Sequence, residues 1–243
     1  ITVRTSKLPE KVEQFRIVQI SDLHLGLIVG ENRLKRILEK VKDAAPDMLV
    51  STGDLVDGET NNLSELVVLL REIEPVYGKF AVTGNHEFYA GLDQALAFTR
   101  SAGFRVLRGE RVEVGEFLVV AGVDDPTGKV YRSRAGTPEP ELLAGLPGDR
   151  FSLLLKHQPV VPALPFDLQL SGHTHKGQIF PFSLLTRLVF PYNSGRYQLA
   201  NGKTLHVSRG SGTWGPPLRL LAPPEITIIN LVSEGEYRTA RGA

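Results

Sequence analysis

Short apolar runs that end abruptly in polar clusters, separated by longer amphipathic segments, set the pattern of the first half of the chain. Phe15-Arg-Ile-Val-Gln-Ile20 is a β-rich run that stops at Ser21-Asp22, as a buried strand entering a functional loop does. After Gly30, the apolar residues Leu34, Ile37, Leu38 and Val41 recur at helical spacing and predict an amphipathic helix. Residues 48–51 read as a second strand, and Asn62-Leu-Ser-Glu65 has the form of a capping box opening a helix through about Ile73. A third strand is expected over 79–83 and a further helix over 91–102. This alternation predicts a largely parallel sheet covered by helices, with right-handed crossovers.

The second half changes character. Residues 112–120, interrupted by Gly115-Glu116, and 197–207, interrupted by Asn201-Gly202, read as β-hairpins. Residues 151–156 and 225–231 add strands, the last closing the domain. The segment 124–140, rich in proline, glycine and charge, is the expected mobile loop.

Composition narrows the chemistry. The chain has 243 residues, 42% of them hydrophobic, enough for one large core, and 1–243 is read as a single domain. Lys and Arg total 28 against 27 for Asp and Glu, and a net charge of +1 provides no general attraction for nucleic acid or acidic membranes. Without cysteine, disulfides, thiolate ligands and a cysteine nucleophile are excluded, so any metal must be held by nitrogen and oxygen. No apolar run is long enough to span a bilayer. The start at Ile1 rather than methionine leads us to expect a natural N-terminal signal or anchor, which would attach an otherwise soluble chain to the membrane or cell envelope.

Four polar clusters follow predicted strands: Asp22-Leu-His24, Gly53-Asp54, Gly84-Asn-His-Glu87 and Gly172-His-Thr-His175, with a lone His157 between the last two. Successive clusters from His24 through Asp54 to Asn85 lie roughly 30 residues apart, about one strand-helix unit each. Ligands of open α/β sheets bind where the carboxyl ends of strands converge. Taken singly, His157 reads as a structural histidine, Asp54 as a helix cap and Asn85 as a turn former. Their conjunction in one order at strand ends points instead to a metal site of imidazole and carboxylate donors. His206, inside the second hairpin, is read as structural.

The order Asp-x-His, Gly-Asp, Gly-Asn-His-Glu, His, Gly-His-x-His resembles that of the calcineurin-like metallophosphoesterase superfamily. Ile20-Ser-Asp-Leu-His-Leu-Gly26, Gly177-Gln178 and Ser208-Arg-Gly-Ser-Gly-Thr-Trp-Gly-Pro-Pro217 are similar to its bacterial membrane-linked branch of diacylglucosamine pyrophosphatase-like and cell-wall-associated phosphodiesterases. The resemblance implies a four-layer α/β/β/α sandwich of mixed sheets with the metals at strand C-terminal ends. It implies that Asp22, His24 and His175 hold one divalent ion, that Asn85, His157 and His173 hold the other, and that Asp54 bridges them. Mn²⁺ is the expected metal, with Fe²⁺ or Zn²⁺ as alternatives. His86 would be the acid to the leaving oxygen or a donor to the transition state, oriented by Asp57. The implied reaction is hydrolysis of a phosphodiester, pyrophosphate or monoester by in-line attack of hydroxide shared by the two metals.

Protein serine/threonine phosphatases of the superfamily carry arginines where this chain has Gly58 and Thr83, so a phosphoprotein substrate is not expected. Lys176 is a candidate contact for a substrate phosphate, or a solvated cation. The apolar segment 179–192, with Phe180 and Phe182, is expected either to tuck into the core or to form a lipid-contacting rim. The branch resemblance implies membrane contact and a lipid-linked substrate such as UDP-2,3-diacylglucosamine. A non-catalytic scaffold of the same fold is the alternative, although the chain keeps every ligand position. A nuclease would need a basic groove or stacking platform, which balanced charge and 7% aromatic residues do not favour. No obligate protein partner is evident in the sequence.

Overall fold

The structure, a computed structural model, describes residues 1–26, 28–58, 63–133 and 136–234. Its first sheet contains β1 (Thr2–Thr5), β2 (Gln14–Ile20), β3 (Met48–Ser51), β4 (Lys79–Ala81), β5 (Arg105–Val106) and β12 (Thr227–Ser233), in the order β1-β12-β2-β3-β4-β5. Its second contains β6 (Glu110–Val114), β7 (Leu118–Gly122), β8 (Phe151–Leu155), β9 (Leu168–Ser171), β10 (Gly195–Gln198) and β11 (Thr204–Val207), in the order β10-β11-β9-β8-β7-β6. Most pairings are parallel, as the β-α-β alternation predicts, and the antiparallel pairs are β12–β2, β10–β11 and β6–β7. The last two are the predicted hairpins. The parallel pairing of β1 to β12, from opposite ends of the chain, has no local signature.

Side-chain alternation on the strands sorts the core into three layers. Ile17, Met48, Val50 and Phe80 of the first sheet meet Val120, Leu153, Leu155 and Leu170 of the second, which makes the two sheets pack face to face. Val18, Ile20 and Leu49 point the other way, onto α1 (Glu31–Asp43), α2 (Ser64–Arg71) and α4 (Leu92–Ser101), the last of which follows the short α3 (Asn85–Tyr89). Ala121 and Leu154 of the second sheet meet Leu142 and Leu143 of α6 (Glu139–Ala144). The layers are therefore α/β/β/α. α1 buries the four residues whose spacing predicts it.

Asn62 lies outside the described residues, and the helix that follows begins at Ser64 with no side-chain cap from Leu63. The described residues of 124–140 include a short helix α5 (Thr127–Val130) and the first two residues of α6, and Asp124 pairs with Arg108 at 2.7 Å. The segment 179–192 does not enter the core: it forms α7 (Phe182–Val189) with no buried residue, which removes the packed-core expectation. Nothing local distinguishes a covered apolar helix from an uncovered one, because the cover would be another part of the chain.

Because β2, β3 and β4 run parallel, and β8, β9 and β11 do likewise, each sheet delivers its strand C-termini to one edge. Gln19 of β2 joins the sheets there, its buried amide donating to Ser171 O at 3.0 Å and Thr52 Oγ1 at 2.9 Å. Leu153→Ala, in the layer between the sheets, should lower unfolding free energy by about 2–5 kcal/mol in urea denaturation.

Candidate metal centre

Three of the four polar clusters leave their strands at turns with unusual backbone, while Gly84 is extended and opens a helical turn. Asp22, His24, Asp54, His173 and His175 all have φ between 49° and 71°, the left-handed region that non-glycine residues rarely occupy. Strain concentrated on five candidate ligands persists only where surrounding contacts over-determine it. Those contacts are present. Buried Glu87 accepts backbone N–H groups from Asp54 (3.0 Å), Leu55 (2.7 Å), Val56 (3.3 Å) and Gly84 (2.6 Å), binding the second and third clusters into one unit. A Cβ at Gly84 would meet the Asp54 carboxylate, so this approach needs glycine. Asp22 accepts from His173 N at 2.9 Å and from Ser21 Oγ, which links the first cluster to the fourth across the sheets.

The candidate ligands converge in two groups, Asp22 with His24 and His175, and Asp54 with His157 and His173. In the first, His24 Nε2 and His175 Nε2 are 3.0 Å apart, and His175 Nε2 is 3.4 Å from Asp22 Oδ1. In the second, His173 Nδ1 lies 3.0 Å from Asn85 Oδ1 and 3.1 Å from His157 Nε2. His157 Nδ1 is 2.7 Å from Thr52 O, which only a protonated Nδ1 can satisfy. Its Nε2 is then the nitrogen that faces Asn85 Oδ1 at 3.3 Å and Asp54 Oδ2 at 3.2 Å.

Such a buried gathering of acceptors calls for positive charge. Burial opposes a charge on His157, yet the Asp54 carboxylate outweighs it and holds the imidazole pKa well above its ordinary value. Burial likewise opposes charge on Asp54, and His157, followed by His24 and His86, overcomes that and lowers its pKa. Burial, with the neighbouring His157, pushes His173 down to about 4, and burial with His24 and Arg219 pushes His175 well below its ordinary value. Neutral imidazoles with carboxylate and amide oxygen suit divalent Mn, Fe or Zn, so the donors fit the metals expected.

His24 also belongs to a third group with Asp57 and His86, but through its other nitrogen, Nδ1, which is 3.7 Å from Asp57 Oδ2. His86 Nδ1 lies 2.9 Å from Asp57 Oδ1. Burial lowers the His86 pKa, and Asp57 with Asp54 more than reverses this, leaving it above the ordinary imidazole value. The imidazoles of His24 and His86 in turn hold Asp57 well below the usual carboxylate range.

The low-signal candidates divide. Phe182 lines an apolar groove of about 420 Å³ whose inner wall includes His173 and His175, whereas Phe180 stands beside it, 46% exposed. Lys176 follows His175 with φ of 52°, and its ammonium has no hydrogen bond or ion pair among the described residues. His206 lies apart on β11, 2.9 Å from Thr227 Oγ1. Sequence reasoning missed Arg219, whose Nη2 donates to His175 Nδ1 at 3.1 Å; burial lowers its pKa to about 10. No local pattern marks it. Glu87 was visible only as the end of Gly-Asn-His-Glu.

The calcineurin-like phosphoesterase family model matches residues 15–177, and the chain belongs to that family. It is a metal-dependent phosphoesterase. An uncharacterized metallophosphoesterase of Aquifex aeolicus is 47% identical over 96% of this chain and 91% of its own length. A transmembrane protein with metallophosphoesterase domain from Danio rerio is 33% identical over 95% of this chain, which spans 56% of that protein. A crystal structure of a dimetal phosphatase from Danio rerio superposes with a TM-score of 0.51 at 14% identity, covering 81% of this chain and 87% of that one, a likeness of fold. Among the described residues no helix is long and apolar enough to cross a membrane.

Two variants separate the ligands from their support. Asp54→Ala should reduce bound Mn²⁺ from two ions per chain to none, measured by elemental analysis after loading and desalting. Glu87→Ala, which orphans buried N–H groups, should destabilise even the metal-free chain by about 3 kcal/mol or more in urea.

Proposed function

We propose that the chain hydrolyses phosphoesters at a centre where Asp22, His24 and His175 hold one divalent ion, Asn85, His157 and His173 hold a second, and Asp54 bridges them. The position of Asp54 Oδ2 carries this reading, since it lies 3.2 Å from His157 Nε2 of one group and 3.8 Å from His24 Nε2 of the other. Mn²⁺ is the metal we assign, from the mixed nitrogen and oxygen donors. When bound, two such ions supply Lewis acidity, making water nucleophilic at neutral pH and screening the phosphoryl oxygens.

The remaining chemistry belongs to side chains. Asp57 accepts from His86 Nδ1 and leaves Nε2 as the nitrogen for the substrate. As the ester P–O bond breaks, the departing oxygen keeps the electron pair and takes a proton from His86 Nε2; the new P–O bond forms to the water oxygen, whose proton passes to solvent, from which His86 is reprotonated. Asp57 stabilises the charged imidazole before that transfer, a positioning role. Thr83 and Gly58 supply no guanidinium clamp, and Thr83 Oγ1 is engaged with Asp124 Oδ1 at 2.9 Å, which argues against phosphoprotein substrates.

For the substrate we propose a lipid-linked phosphoester, of which UDP-2,3-diacylglucosamine is one example, met by peripheral contact with a bilayer. Exposed α7 supports this, with Leu188 83% and Val189 70% exposed, as does the apolar groove beside His173 and His175. The Danio rerio relative's description as a transmembrane protein is consistent with a membrane setting. Phe182 would contact the acyl part, Phe180 would reach the bilayer, and Lys176 would meet phosphate.

In Mn²⁺, hydrolysis of a soluble phosphodiester, a phospholipid and a nucleotide-linked acyl sugar should rise in that order. Indifference to the acyl chain would sink the lipid assignment, and no turnover by two-metal protein would leave a scaffold. His86→Ala should lower kcat by about 10²–10⁴-fold with both metals retained; loss of metal would contradict its assigned role.

A further inference from the structure

Aromatic surface is left open beside His86, and one of its rings, Trp214, also lines the groove that reaches His173 and His175. The Tyr89 ring centroid lies 5.3 Å from that of His86 at 68°, and Trp214 lies 6.2 Å from it at 72°. Tyr131 stands 6.3 Å from Tyr89. All three expose more than half their surface, Tyr89 59%, Trp214 54% and Tyr131 54%.

Trp214 is not the tip of a loose loop. Buried Gln178 clamps its peptide from both sides: Trp214 N donates to Gln178 Oε1 at 2.9 Å, and Gln178 Nε2 donates to Trp214 O at 2.6 Å. The preceding Thr213 Oγ1 accepts from Arg33 at 2.9 Å, and Gly212 N donates to Asp22 O at 3.1 Å. The backbone that carries the indole is thus registered to the loop carrying Asp22 and to the turn following His175. An exposed ring on a backbone fixed by a buried clamp binds with less ordering penalty than one on a loose loop.

We infer that Trp214 and Tyr89 form the subsite for the leaving group, and that this group presents a flat aromatic ring close to the scissile oxygen. The inference rests on the acid role given to His86, because only the leaving oxygen must come within its reach. Aromatic faces favour offset or edge contacts with other rings beyond what area alone provides, so an alkyl leaving group of equal size gains less. Gln178 acts as a positioning residue for the indole. It accounts for Gly177-Gln178 and for the Ser208 to Pro217 segment, neither of which supplies a metal ligand in this reading.

Trp214 is the chain's single tryptophan, so emission excited selectively at the red edge, where the six tyrosines do not absorb, reports this subsite alone. Benzylphosphonate and pentylphosphonate, whose P–C bonds resist hydrolysis, are titrated into the Mn²⁺-loaded full chain. The benzyl compound should change the emission saturably and bind about ten-fold more tightly than the pentyl one. Equal affinities, or benzyl binding that leaves the emission unchanged, would overturn the inference. In turnover, Trp214→Leu and Gln178→Ala should each lower kcat/KM for phenyl phosphate about ten-fold more than for butyl phosphate. Equal losses on the two esters would overturn the subsite while leaving the phosphoesterase reading intact; a wild-type chain inactive on both would remove the His86 role and the inference with it.

Discussion

Two sheets that end in acceptors cannot close on one another without positive charge between them, and that constraint organises this molecule. His24 Nε2 faces His175 Nε2 at 3.0 Å, and Asp54 Oδ2, His157 Nε2 and Asn85 Oδ1 crowd the adjoining space. Burial of unpaired polar groups is costly. In the bare chain the conflict surfaces as displaced pKa values, with His157 driven up by Asp54 while burial drives His173 and His175 down. Divalent ions answer the same demand, so folding of this edge and metal binding are parts of one equilibrium.

Holding such a cluster requires a frame that does not relax. Left-handed backbone at five candidate ligands is maintained by buried contacts one layer further out, and Glu87 is central because one carboxylate ties the Gly53-Asp54 turn to the Gly84 turn. Gln19 bridges the sheets directly beneath, and Arg219 reaches His175 from behind. Rigidity of this order keeps donors convergent, at the expense of strain that a simple turn would not carry.

Around the centre the surroundings are asymmetric. Beyond His173 and His175 lies apolar surface from the exposed α7, and beside His86 lie open aromatic rings. Trp214 borders both, since it lines the groove and stands near His86. A substrate with chemically distinct ends would be oriented by this difference alone, the phosphorus between them meeting a site that is otherwise indifferent to what it carries.

Much of this was legible in one dimension because parallel α/β strands are short apolar runs whose ends are marked by polar motifs. Phe15 to Ile20 and the helix bearing Leu34, Ile37, Leu38 and Val41 follow from period alone, and the clusters at Asp22, Asp54, Asn85 and His173 stand out because each interrupts such a run. What the amino-acid order by itself determined was the set of donors and the elements that carry them. Only tertiary structure decided that β1 pairs with β12, that Arg219 reaches His175, that Trp214 stands beside His86, and that α7 remains uncovered. Those outcomes depend on which distant surfaces meet, and local periodicity records how a segment can fold without recording what will lie against it.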